Sequence, residues 1–131
     1  MKRLRAIVPA LAAFAAVAAG LAGPSAAGPL DATGTAVGVS EREFAISPYR
    51  RTVPPGVVRF NVRNFGEDVH DLVVVSPRGR RVGGSGPIGA GQQGLLRLKL
   101  NKTGVYRLLC TQADHTARGM KSRITVRATR R

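Results

Sequence analysis

The sequence predicts an all-β domain, a sandwich or barrel of antiparallel or mixed sheets, and three observations carry that expectation. Two stretches alternate apolar and polar side chains with the period of a half-buried strand: Val58, Phe60 and Val62 against Arg59, Asn61 and Arg63, then Leu96, Leu98 and Leu100 against Arg97, Lys99 and Asn101. Turn signals punctuate the chain at "VPPG", "NFGED", "SPRG" and "NKTG". Beyond residue 27 no helical period of apolar residues is present. Around seven short strands follow.

The first 27 residues read as a separate element. Lys2, Arg3 and Arg5 precede the uncharged run "AIVPALAAFAAVAAGLA", and small residues follow at "GPSAAG". This is the order of a secretory signal peptide, with cleavage after Ala27 or, alternatively, after Ala22. A retained anchor is the competing reading, which Pro9, Pro24 and the alanine-rich composition oppose. The expected mature chain, residues 28–131, holds one small domain with its core at about residues 35–128. A periplasmic or secreted monomer, with no stable membrane insertion once the leader is removed, is the corresponding expectation.

Strands are expected in order near Ala36 to Ser40, Phe44 to Val53 with an interruption at Pro48, Val57 to Asn64, Asp71 to Val75, Leu95 to Asn101, Gly104 to Leu109, and Ser122 to Arg127. The stretch "GGSGPIGAGQQG" contains a G-x-G-x-x-G spacing at Gly84, Gly86 and Gly89. It reads as a loop, because Pro87 interrupts it and strand pattern rather than a helix follows. "NKT" at Asn101 matches a glycosylation sequon of a kind short enough to arise by chance.

Charge narrows the function classes. The formal net charge is +14, or +11 without Lys2, Arg3 and Arg5. A field of that sign attracts anionic partners. A dedicated nucleic-acid reader is not expected, since the chain has two Tyr, no Trp and arginines dispersed along strand-like segments. An acidic partner protein is. Arg78, Arg80 and Arg81 form the densest basic cluster outside the C-terminal tail.

The chemistry concentrates in "CTQADHTARGM". It holds the single cysteine, one of two histidines and the only methionine besides Met1. A lone cysteine in an exported chain forms no internal disulfide, which leaves a metal ligand or a small buried hydrophobe. Cys110 shares strand parity with Tyr106 and Leu108, and Met120 shares it with Ile124 and Val126. Both therefore point inward at the two ends of a nine-residue loop that carries His115, and Gly119 supplies the backbone freedom for its return. His70, with the parity of Leu72 and Val74, offers a fourth donor. One thiolate, two imidazoles and a thioether suit copper in a trigonal site with a weak axial Met, whereas a structural zinc site prefers four Cys or His ligands.

The segments "NFGEDVHD", "GVYRLLC", "CTQADHTARGM" and "KSRITV" together resemble the cupredoxins, the blue copper proteins that include plastocyanin and azurin. The resemblance implies a Greek-key β-sandwich of seven to eight strands, one copper ion cycling between Cu(I) and Cu(II), and single-electron transport. It carries over His70, Cys110, His115 and Met120 as the copper ligands. Three positions depart from the family pattern: Asp71 stands where Asn is frequent, and Ala113 and Asp114 stand where Pro-Gly is common. Asp71 is placed to accept a hydrogen bond from Thr111 and so to hold the Cys110 loop. On this reading the protein is not an enzyme, His115 on an exposed loop is the exit for the electron, and copper storage or delivery is the alternative role.

Overall fold

The computed structural model describes residues 33–129, so the leader expected at residues 1–27 lies outside the described part. Nine strands occur there and no helix: β1 (Thr35–Arg42), β2 (Ala45–Pro48), β3 (Thr52–Val53), β4 (Gly56–Asn64), β5 (Val73–Val75), β6 (Arg81–Gly84), β7 (Gln93–Leu100), β8 (Gly104–Leu109) and β9 (Lys121–Val126). They form two sheets, ordered β2-β1-β4-β7 and β3-β9-β8-β5-β6. Both are mixed, because β1 runs parallel to β4 and β3 parallel to β9.

The alternation in the sequence becomes the core between the sheets. Val37, Val39, Val58, Phe60, Val62 and Leu100 project from one sheet, and Leu72, Val74, Tyr106, Leu108, Ile124 and Val126 from the other, all buried. Side chains of this kind contribute about 1.5–3 kcal/mol each when fully buried. Tyr106 keeps its hydroxyl satisfied at the sandwich edge by donating to the Lys102 carbonyl at 3.0 Å.

Three differences from the sequence expectation have physical causes. The stretch from Phe44 to Val53 is not one interrupted strand. Its halves belong to different sheets, with β2 at an edge where Pro48 lacks no needed ladder donor, and the chain crossing over at Tyr49–Arg51. Arg81–Gly84 is a strand although it enters the glycine-rich stretch, because it pairs antiparallel with β5, and at Gly83 the backbone lies close under the Leu98 side chain of the facing sheet. The strand expected from Asp71 begins at Val73, and His70 instead pairs with Ile88 in an isolated bridge.

This topology gives the sandwich two distinct ends. Strands β1, β4 and β8 all run toward the end where β8 leaves at Leu109 and β9 returns at Lys121. The connections at 43–44, 65–72, 85–92 and 110–120 gather there, while those at 49–51, 54–55, 76–80 and 101–103 belong to the other half.

Candidate metal centre

Three elements deliver three donors to the first of these ends. His70 is fixed by its bridge to Ile88, donating its N–H to the Ile88 carbonyl at 3.0 Å and accepting from the Ile88 N–H at 2.7 Å. Cys110 ends β8 with its parity facing inward and is fully buried. His115 comes from the 111–119 loop. The main chain of Met120 ties that loop shut, its N–H reaching the His115 carbonyl at 2.9 Å and its carbonyl accepting the Cys110 N–H at 3.2 Å. Gly119 turns the chain back at φ +103°, a conformation in which a side chain would be strained.

The donor atoms form a compact triangle. His70 Nδ1 and His115 Nδ1 are 3.2 Å apart, and Cys110 Sγ lies 3.9 Å from the first and 3.6 Å from the second. A trigonal ion about 2 Å from each nitrogen and about 2.3 Å from sulfur would set its donors about 3.5 Å (N to N) and about 3.8 Å (N to S) apart. The triangle fits such an ion. Among the described residues this is the group of Cys, His and acidic side chains arranged to hold a metal, and all three members are buried. Met120, fully buried beside them, completes a soft donor set that fits one copper ion. Burial pushes the Cys110 thiol up from its ordinary range, so binding a metal there must displace a proton.

With both Nδ1 atoms turned inward, both Nε2 atoms face carboxylates. His70 Nε2 lies 3.3 Å from Glu43 Oε1, and His115 Nε2 lies 3.7 Å from Asp68 Oδ2. Neither contact closes as a hydrogen bond, so each carboxylate acts on its imidazole as a nearby negative charge. The same Glu43 oxygen accepts the N–H groups of Glu67 at 2.6 Å and Asp68 at 2.8 Å. These bonds, the Asp68 N–H foremost, hold the Glu43 carboxyl down at about 2. Gly66 makes the approach possible, since any Cβ there would collide with the Glu43 carboxylate. Asn64 organises the same turn, donating to the carbonyls of Asp68 at 2.7 Å and Ile88 at 2.9 Å.

Asp71 does hold the Cys110 loop. Its carboxylate accepts the Thr111 N–H and hydroxyl, each at 2.5 Å, and the Gln112 amide at 3.2 Å. Thr116 adds a short bond from its hydroxyl to the Cys110 carbonyl. Asp114, in contrast, is exposed, and the carboxylate that faces His115 is Asp68. His115 itself is not exposed as expected. Only 6% of its surface is accessible, because the Phe44 ring packs edge-on at 5.3 Å and Arg118 lies over Phe44 at 3.7 Å. Glu43, Phe44 and Asp68 escaped sequence reasoning. Asp68 stands two residues before His70 and was open to inspection there, whereas nothing local marks Glu43.

No family model and no curated protein matches the sequence. Solved structures do. Reduced auracyanin from the photosynthetic bacterium Roseiflexus castenholzii superposes with a TM-score of 0.63 at 21% identity, covering 72% of this chain and 98% of that one. The chain has the cupredoxin fold. Two further structures of that fold agree: auracyanin B, with a TM-score of 0.61 at 19% identity over 71% of this chain and 88% of its own, and auracyanin A, a "blue" copper protein from Chloroflexus aurantiacus, with 0.58 at 11% identity over 71% and 98%. At such identities the cupredoxin fold is what the likeness carries, and the chemistry rests on the donor triangle.

Proposed function

We propose that the protein is an exported mononuclear blue copper protein that carries single electrons, in which His70, Cys110 and His115 would hold the copper strongly and Met120 would be its weak thioether donor. The observation that carries this reading is the buried triangle of one sulfur and two imidazole nitrogens at 3.2–3.9 Å. The copper supplies one-electron redox chemistry. The chain supplies a buried donor set, with the Cys110 loop tied by Asp71 and the Glu43 and Asp68 carboxylates close to the imidazoles, so that little moves when the charge on the metal changes. Auracyanin A, of the same fold, is a blue copper protein.

Burial of every donor favours a carrier over storage or delivery, which requires a ligand to leave the site. Electrons exchange at the edge formed by His115, Phe44 and Arg118 rather than through a substrate cleft, so no catalytic role is assigned. The rim of this end also carries Arg42 and Arg63, which flank the half-exposed Phe65 ring at 5.3 and 5.1 Å. An acidic redox partner meets the monomer here. The Arg78–Arg81 cluster belongs to the opposite end.

Copper loading with visible spectroscopy tests the core of the reading. An intense thiolate-to-copper band is expected, and Cys110→Ser should abolish it because a hydroxyl is not a soft covalent donor. A colourless wild-type protein that binds zinc equally well would overturn the proposal. Rapid copper loss to a weak chelator, with slow electron exchange, would favour delivery instead.

A further inference from the structure

The acidic residues are segregated along the sandwich. Of the seven acidic residues in the sequence, Asp31 lies outside the described part. The other six all gather at the metal end: Glu43 on His70, Asp68 on His115, Asp71 on Thr111, Glu67 in the same turn, Asp114 beside His115, and Glu41 buried at the end of β1. The opposite end is built from the connections β3–β4, β5–β6 and β7–β8 and from the exit of β9. Arg78, Arg80 and Lys102 line one shallow groove there, and Arg50 and Arg127 line another. All five are exposed.

We infer that this basic pole docks on a membrane surface rich in anionic phospholipid, with the metal end facing away. The inference stands apart from the copper chemistry. Two features favour a lipid surface over a folded partner. The pole's grooves are lined by long cationic side chains, and among the described residues the one large exposed aromatic in that half is Tyr49, whereas protein interfaces depend on clustered aromatic or apolar hot spots. A smeared layer of headgroup phosphates needs no shape complementarity, only several cations within a Debye length.

The test is co-sedimentation of the full chain with vesicles of phosphatidylcholine, alone or with phosphatidylglycerol, at moderate ionic strength. Binding is expected only with the anionic lipid. Each cation near such a surface changes affinity about fivefold, so Arg78→Glu with Arg80→Glu should weaken binding by at least about 25-fold. Arg42→Glu with Arg63→Glu changes the net charge equally at the metal end and should leave most of the binding in place. Both pairs are exposed, and the milder Arg78→Gln with Arg80→Gln serves if the reversal disturbs folding. Equal losses from the two pairs would overturn the inference in favour of net charge alone. Equal binding to neutral vesicles would overturn it in favour of apolar insertion. Tighter binding to polyglutamate or duplex DNA at the same salt would do so in favour of a macromolecular polyanion.

Discussion

Glu41 is the residue whose environment departs furthest from its chemistry. It is completely buried, neither carboxylate oxygen has a hydrogen-bond partner, and burial, then the nearby Asp71 charge, pushes its carboxyl up to about 7. The unfolded chain loses this proton near the ordinary 4.5, while the native state keeps it until about 7. The ionisation penalty of Glu41 is therefore absent below pH 4.5, and stability falls between 4.5 and 7 toward a penalty on the order of 3 kcal/mol. Glu41→Gln should match the wild type at pH 4 and exceed it by up to that amount at pH 8, read from urea unfolding of the metal-free protein. An equal gap at both values would show that packing rather than ionisation governs the position. Met120 tests the site at the same scale. Met120→Leu should keep the blue band and raise the reduction potential, because losing an electron donor destabilises the cupric form more than the cuprous. An unchanged potential in a voltammetric titration would remove Met120 from the ligand set.

At the level of elements, the site depends on two turns locked by acids from elsewhere in the chain. Glu43, leaving β1, holds the 65–69 turn through two main-chain N–H groups and sets its charge beside His70. Its carboxyl lies well below its ordinary value, so its contribution is fully present above pH 4.5 and lost as pH falls through about 2. Glu43→Gln should lower stability at pH 7, with the difference closing on acidification, as thermal unfolding across that range would reveal. Gly66→Ala should act more severely on the metal than on the fold. Its Cβ would displace the Glu43 carboxylate from beside the His70 ring, which weakens copper binding by the 10- to 100-fold typical of lost outer partners. Unaltered copper affinity in a competition titration would show that Glu43 does not act on His70.

At the level of the whole molecule, the two proposals assign different work to the two ends. On the proposed function, an acidic redox partner would be drawn by the net positive field and would meet the metal end through Arg42, Arg63 and Arg118 around Phe65 and Phe44. Exchange should slow as salt rises, because the Debye length contracts from ~30 Å at 0.01 M to ~8 Å at physiological strength. Stopped-flow rates with an acidic partner would show it, and Arg42→Glu should flatten the dependence while Arg78→Glu has less effect. A rate that does not respond to salt would mean that the basic surface plays no part in encounter.

The sequence by itself determined the alternating strands, their inward faces and the spacing that sets Cys110, His115 and Met120 around one loop. Strand parity is a local property, and ligand types read directly from composition. His70 was also legible, because the parity of Leu72 and Val74 extends to it across a short distance. Only the tertiary structure decided what stands behind those ligands. Glu43 reaches His70 from 27 residues upstream through the space left by Gly66, and Phe44 closes over His115 from a different sheet connection. The glycine stretch is a loop over residues 85–92 as its pattern indicates, but that β6 runs into its first two glycines was decided by pairing with β5, and the clearance at Gly83 by Leu98 on the facing sheet. The segregation of charge was hidden likewise. Acids scattered between positions 41 and 114 converge at one pole because alternate strand connections fold to the same end, a fact of topology that no local pattern encodes.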